Sequence, residues 1–190
     1  MSTAQYVIPA CWIILLLYWF VSRSSVKATQ ERNWSGGSFR WVIIGIVIIV
    51  LLRDFFGLSI PFFTISLISH SELLSVVSVI LVGIGLVIAL VARGTLAGNW
   101  SNDVDVKVDH ELITTGIYRY LRHPIYTGVL LMGLGSALFM GTISAFLGFL
   151  FLLGFFWFKT RREEKLLTRH FPKEYPAYKN HTKALIPFVW

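Results

Sequence analysis

Residues 109–128 read DHELITTGIYRYLRHPIYTG. This is the longest polar, chemically equipped stretch in a chain otherwise dominated by apolar runs. It holds two of the five His, two Arg and three Tyr. Two apolar runs follow, residues 124–139 and 143–158, joined only by Met140-Gly141-Thr142. A joint that short permits only an antiparallel helical hairpin. The hairpin returns the chain to the side it left, where a second charged segment, residues 159–169, begins. The two polar segments are therefore expected to meet, at a membrane surface, and to form the working site.

Outward from that stretch the chain supplies membrane helices. Its 190 residues suit one domain, 1–190, with three N-terminal spans in 1–92 and the chemically equipped half in 93–190. Hydrophobic residues make up 55% and the mean hydropathy is +0.68, too apolar for an ordinary soluble domain. Uncharged runs at 6–21, 41–56 (interrupted only by Arg53 and Asp54) and 73–92 approach the ~20 residues that a helix needs to cross a bilayer. With the hairpin, the expected fold is all-α and integral to the membrane. It has about five transmembrane helices, the last two a tight hairpin, with a cytoplasmic loop and a C-terminal helical tail around the site. The first run has no basic segment before it and no small-residue cleavage motif after it, so it reads as a span rather than a signal peptide.

Charge sets the orientation. The net charge of +7 suits cytoplasmic loops and anionic headgroups, not a nucleic-acid partner. Residues 22–40 carry Arg23, Lys27, Arg32 and Arg40 against the single acid Glu31, which places that loop in the cytoplasm and the amino terminus outside. An odd number of spans then puts the basic tail, 159–190, in the cytoplasm too, so charge and span count agree. A bacterial-type inner membrane or its equivalent is the expected location. The lone Cys11 lies in an apolar run and has no partner for an intrachain disulfide. Residues 99–109 read as an ordered loop or a short strand-like piece. Residues 163–171 form a helix of their own ended by Phe171-Pro172, and 174–179, EYPAYK, are amphipathic.

Several groups in these segments carry chemistry. Pro124 suits the first turn of a helix, which makes His123 its N-cap. A ligand carboxylate placed there would meet free N–H groups and Arg122; alternatively the pair anchors the helix at the interface. Glu163-Glu164, among bases, suit a ligand ammonium or ribose hydroxyls, or else form i,i+4 pairs on a solvated helix. Lys159, Arg161 and Arg162 suit an anionic substrate or phospholipid headgroups. Tyr118, Tyr120 and Tyr126 suit an adenine or a sulfonium, or a headgroup belt. The chain has no GxGxxG, P-loop, zinc-spaced Cys–His set or nucleophile elbow. No metal is expected.

Taken together, these segments resemble the isoprenylcysteine carboxyl methyltransferase family and, more broadly, the membrane methyltransferases that include phospholipid N-methyltransferases. The matching pieces are GNWS at 98–101, HELITTGIYRYLRHPIYTG at 110–128, Glu163-Glu164 and FPKEYPAYKNHTKALIP at 171–187. They cover about the second half of the chain. The resemblance implies a membrane fold of about five helices that uses S-adenosylmethionine. It implies cofactor contacts from His110, Glu111, Leu112, Ile113, Tyr118, His123, Pro124, Ile125, Tyr126 and Glu163. The family's substrate-carboxylate Arg falls on Lys159, a departure that keeps the charge but loses bidentate geometry; Arg161 and Arg162 are the alternatives. The implied acceptor is a lipophilic small molecule or lipidated substrate drawn from the bilayer, with membrane lipids around it. Alternatives are an amine-methylating phospholipid enzyme, an NADPH-dependent membrane reductase with a similar C-terminal motif, or a non-catalytic lipid-binding protein.

Overall fold

The computed structural model describes residues 3–22, 29–34, 65–100, 104–107 and 111–185. In these the helices are α1 (Ala4–Ser22), α2 (Glu72–Leu96), α3 (Pro124–Met140), α4 (Ile143–His170) and α5 (Glu174–His181). Strands β1 (Thr29–Trp34) and β2 (Val104–Lys107) make a two-stranded antiparallel ribbon. The expected second span, 41–56, lies outside the described residues. Among the described residues, three helices, α1, α4 and α2 with its following turn, are long and apolar enough to cross a membrane. The chain is an integral membrane protein built on an α-helical bundle.

The bundle is small inside and large outside, as lipid demands. Along α2 the buried face includes Ser75, Ser78, Gly85, Ala89 and Ala92, while Leu73, Val76, Ile80, Ile84, Val87 and Val91 are exposed. Lipid tails are as apolar as Leu, so burying large side chains gains little there. Close backbone packing between small residues holds the helices instead. The α2–α3 contact depends on this. A Cβ built on Gly128 would stand 2.5 Å from the Gly85 carbonyl oxygen, and one on Gly85 would stand 2.5 Å from that of Gly128. Neither carbonyl can swing aside. Gly128→Ala is therefore expected to cost about 1–3 kcal/mol or more through overpacking, read as a lowered melting temperature in detergent; an unchanged melt would contradict the close contact.

Helix ends follow local chemistry. Ser71 caps α2 by accepting from the Leu74 N–H at 3.1 Å. Gly141 ends α3 in the left-handed region at φ +63°, where it needs no Cβ. Thr142 then caps α4. At this far end Gly141 O accepts from Leu67 N at 2.7 Å, and Ile143 N donates to Ile65 O at 3.1 Å, so the chain before α2 is zipped to the hairpin turn.

The hairpin arms are unequal. α3 keeps to 17 residues, whereas α4 runs 28 without interruption through Lys159 to His170. The separate helix expected at 163–171 does not exist as such: nothing between Phe158 and Glu163 breaks helical geometry, and Phe171 caps the whole rod. Its exposed stripe includes Leu147, Leu150, Phe151, Trp157 and Phe158, while Phe156, Lys159, Thr160, Glu164 and Leu166 turn inward. The strand-like reading of 99–109 holds at β2, whose partner β1 comes from the first loop. The register sets Arg32 opposite Asp105 and Thr29 opposite Lys107.

Candidate active site

The site forms where the C-terminal ends of α2 and α4 meet the N-terminal end of α3. Pro124 begins α3 and leaves no N–H to satisfy, so His123 takes the N-cap position as the sequence suggests. The preceding loop is fixed by the tail. Arg122 N donates to Lys183 O at 2.8 Å and His123 N to Ala184 O at 3.1 Å. The Thr127 hydroxyl donates to Leu185 O at 2.6 Å. A strip of tail backbone thus replaces the ligand that the sequence placed on these loop groups.

The acidic pair divides its labour. Glu164 is buried and accepts from Arg122 Nε at 2.7 Å and from Lys179 Nζ at 2.7 Å. Arg122 also donates to the carbonyls of Lys179 and Thr182. One carboxylate thereby fastens α4, the RHP loop and α5 together, and Arg122 is engaged with protein rather than held for a ligand. Glu163 sits one helical step round, with 31% of its side chain exposed. It accepts from the Tyr126 hydroxyl at 2.6 Å, and His123 Nδ1 lies 3.6 Å from the same oxygen. The His123 ring stacks on Tyr126 (5.4 Å, 2°) and Tyr126 on Phe156 (4.6 Å).

These groups border a cleft. Of the expected cofactor residues, Glu111, Leu112, Ile113, Tyr118, His123, Ile125, Tyr126 and Glu163 line it. Pro124 is buried at the first position of α3, and His110 lies outside the described residues. Tyr120 is 68% exposed and not on the cleft wall. Lys159 is buried, with its ammonium 5.1 Å from the centre of the Tyr126 ring. Arg161 and Arg162 are exposed and lie over Trp157 and Phe158 at 5.3 and 4.5 Å, away from the cleft. Residues that sequence reasoning did not single out also line it: Asn99, Trp100, Tyr175 and Tyr178. All four lie within or beside the matching pieces GNWS and EYPAYK, which was the available signal.

Among the described residues, two buried polar atoms of this wall, Asn99 Oδ1 and the Tyr175 hydroxyl, have no hydrogen-bond partner, and His123 Nε2 has only Glu164 Oε1 at 3.7 Å. Each such atom costs about 1–3 kcal/mol when left unsatisfied, so their convergence on one cleft points to a polar ligand. Burial, with Glu163 nearby, pushes the Tyr118 hydroxyl well above its ordinary pKa. Burial beside Glu164 and Glu163 does the same to Tyr175. Both stay protonated donors throughout the physiological range. Tyr118 donates to Ala92 O at 3.3 Å, and Tyr178 donates to Tyr118 O at 2.5 Å.

A helical membrane bundle with a polar cleft lined by Glu111, Glu163, stacked aromatics and orphaned polar atoms has the features of a membrane-embedded small-molecule site. More particularly, the chain belongs to the phospholipid methyltransferase family, whose model matches residues 73–174. It is 33% identical over 142 residues to the protein-S-isoprenylcysteine O-methyltransferase of Saccharomyces cerevisiae, covering 73% of this chain and 59% of that one. It is 31% identical over 119 residues to that of Homo sapiens, covering 61% of this chain and 42% of that one. Among solved structures it is similar to the eukaryotic intramembrane Ras methyltransferase (isoprenylcysteine carboxyl methyltransferase), with a TM-score of 0.58 and 26% identity over 62% of this chain and 43% of that chain. The chain thus spans less than two thirds of the length of these relatives.

Proposed function

We propose that this chain is an S-adenosylmethionine-dependent methyltransferase that esterifies a lipophilic carboxylate at the membrane surface, as the relatives' names suggest. The observation that carries the reading is the convergence of Glu111, Leu112, Ile113, His123, Ile125, Tyr126 and Glu163 on one cleft, where Asn99 Oδ1 and the Tyr175 hydroxyl have no partner among the described residues. The cleft's chemistry fits that cofactor. Glu163 suits the ammonium and the His123 ring the carboxylate of its zwitterionic amino-acid end, Tyr118 and Tyr126 its ribose and sulfonium, and Leu112, Ile113 and Trp100 its flat base. The cofactor supplies an electrophilic methyl group on sulfur, so no metal and no protein nucleophile is required.

The protein's contribution is placement and exclusion of water. Holding donor and acceptor in line lowers the barrier by several kcal/mol, and an apolar wall strips the acceptor carboxylate of its hydration shell. We assign that carboxylate to Lys159, which is not on the cleft wall itself but whose ammonium lies 5.1 Å from the centre of the Tyr126 ring that is. Arg161 and Arg162 face Trp157 and Phe158 and serve the headgroup layer. We assign residues 1–190 to one domain, with the amino terminus outside and the site at the cytoplasmic leaflet, as the loop charges require.

The direct test is incubation of the purified protein with methyl-labelled S-adenosylmethionine and host membranes. A methyl ester releases its label as methanol in base. Label that resists base and stays with phospholipid amines would instead support the amine-methylating reading. No transfer to any lipid or protein would refute both. Lys159→Met is expected to raise KM for a carboxylate acceptor at least about tenfold, the usual weight of one charge-assisted hydrogen bond. Cofactor affinity should stay unchanged; a normal KM in that variant would remove Lys159 from the acceptor site.

A further inference from the structure

Asn99 lies on a single helical turn (Ala97–Asn99) directly after α2 and faces the cleft. It is buried, at 8% exposure, and its side-chain oxygen has no hydrogen-bond partner among the described residues. The turn that carries it is held with unusual care. Arg93, itself 1% exposed, donates from Nη1 to Ala97 O at 2.8 Å and from Nη2 to Ser22 O at 2.6 Å. Its guanidinium lies 4.4 Å from the centre of the Trp100 ring, which in turn stacks on Trp19 of α1 at 6.3 Å. Ala97 adopts φ +45° and ψ −121°, a conformation that a residue with a Cβ keeps only when its surroundings impose it. A buried arginine, an aromatic stack and a strained alanine thus converge to fix the direction of one amide.

We infer that Asn99 reads the hydrogen-bonding edge of the cofactor's adenine ring. This rests on the proposed use of S-adenosylmethionine and specifies which end of it lies against α2. The neighbours of Asn99 on the cleft wall, Leu96 and Trp100, are flat or apolar, which suits a base and not an ammonium. Glu163 and His123 come from α4 and the start of α3, and the other ionisable groups of the lining, Glu111 and Arg122, come from the loop before α3. An asparagine amide presents an acceptor and a donor side by side, matching the amine at adenine N6 and the acceptor at N7. A carboxylate or a hydroxyl would not offer that pair.

The test is isothermal titration of the full chain in detergent with S-adenosylhomocysteine and with S-inosylhomocysteine, which carries a carbonyl in place of the N6 amine. The wild type should prefer the adenosyl form by about 10- to 100-fold, the usual weight of a bidentate contact to a base. Asn99→Ala should bind the two within about threefold. If that variant fails to fold, the same-sized Asn99→Asp decides: it keeps the acceptor for the N6 amine but repels N7 in both compounds and the carbonyl of the inosyl form, so it should bind both more weakly than the wild type while still preferring the adenosyl form. A wild type indifferent to the amine, a folded Asn99→Ala that keeps the wild-type preference, or a folded Asn99→Asp with wild-type affinity for both, overturns the inference and leaves the methyltransferase reading intact. A folded wild type that binds neither compound overturns both.

Discussion

Glu163→Ala is expected to weaken S-adenosylmethionine binding by at least about 30-fold while leaving the protein folded. The carboxylate keeps 31% of its side chain exposed at the cleft and has no role in the α4–α5 clamp. Removing one partner of a hydrogen-bonded charge pair costs about 2–5 kcal/mol when the pair is buried; partial exposure puts Glu163 at the low end of that range, and 2 kcal/mol is a factor of about 30. Stability should fall by no more than the about 1–3 kcal/mol of an orphaned Tyr126 hydroxyl, because within the described residues its carboxylate meets only that hydroxyl and the His123 ring. His123→Ala should act likewise, since its fold-bearing contact, the backbone N–H to Ala184 O, survives. Titration showing wild-type affinity in both variants would end the assignment of this acid to the cofactor.

Glu164→Ala should do the opposite to the neighbouring position. The variant leaves Arg122, whose side chain is 10% exposed, facing an empty space where its carboxylate was. Breaking a buried ion pair from one side costs about 3–5 kcal/mol. Lys179 is 38% exposed and Arg122 keeps its carbonyl partners, so about 3 kcal/mol is the appropriate figure. The expected readout is a melt several degrees lower, with proteolytic cleavage around α5 before the bundle opens. Glu164→Gln, which keeps one acceptor, should fall between. A Glu164→Ala protein that melts with the wild type, while Glu163→Ala does not, would show that the two roles are exchanged.

The contrast between these adjacent acids marks where sequence reading stopped. The hairpin, the His123 N-cap and the helix end at Phe171 were legible because each has a local cause: Gly141 in a left-handed turn, Pro124 at a first position, Pro172 after a cap. Which acid faces the cleft depends on the phase of α4, and that phase is clear only if the helix is taken as unbroken. Once it is, Lys159, Glu163, Leu166 and Leu167 share a face at i, i+4, i+7 and i+8. Arg161 and Arg162 fall on the other side and never belonged among candidates for the cleft wall. β1 escaped notice because TQERNW is short, polar and paired only with a distant segment. Asn99 and Tyr175 escaped because an unsatisfied atom is visible only when its surroundings are.

The uninterrupted α4 has one more effect. At about 1.5 Å per residue, Glu163 stands roughly 9 Å along the axis from Trp157. Trp157 and Phe158, with Arg161 and Arg162 over their rings, form a collar suited to headgroup depth. A rod cannot stretch, so under the proposed function the collar would work as a depth gauge: wherever the bilayer seats those aromatics, the reacting height would be set. Acceptors whose reactive end floats at the water boundary would meet it in place, and those with the same group sunk among the acyl chains would first have to be hoisted.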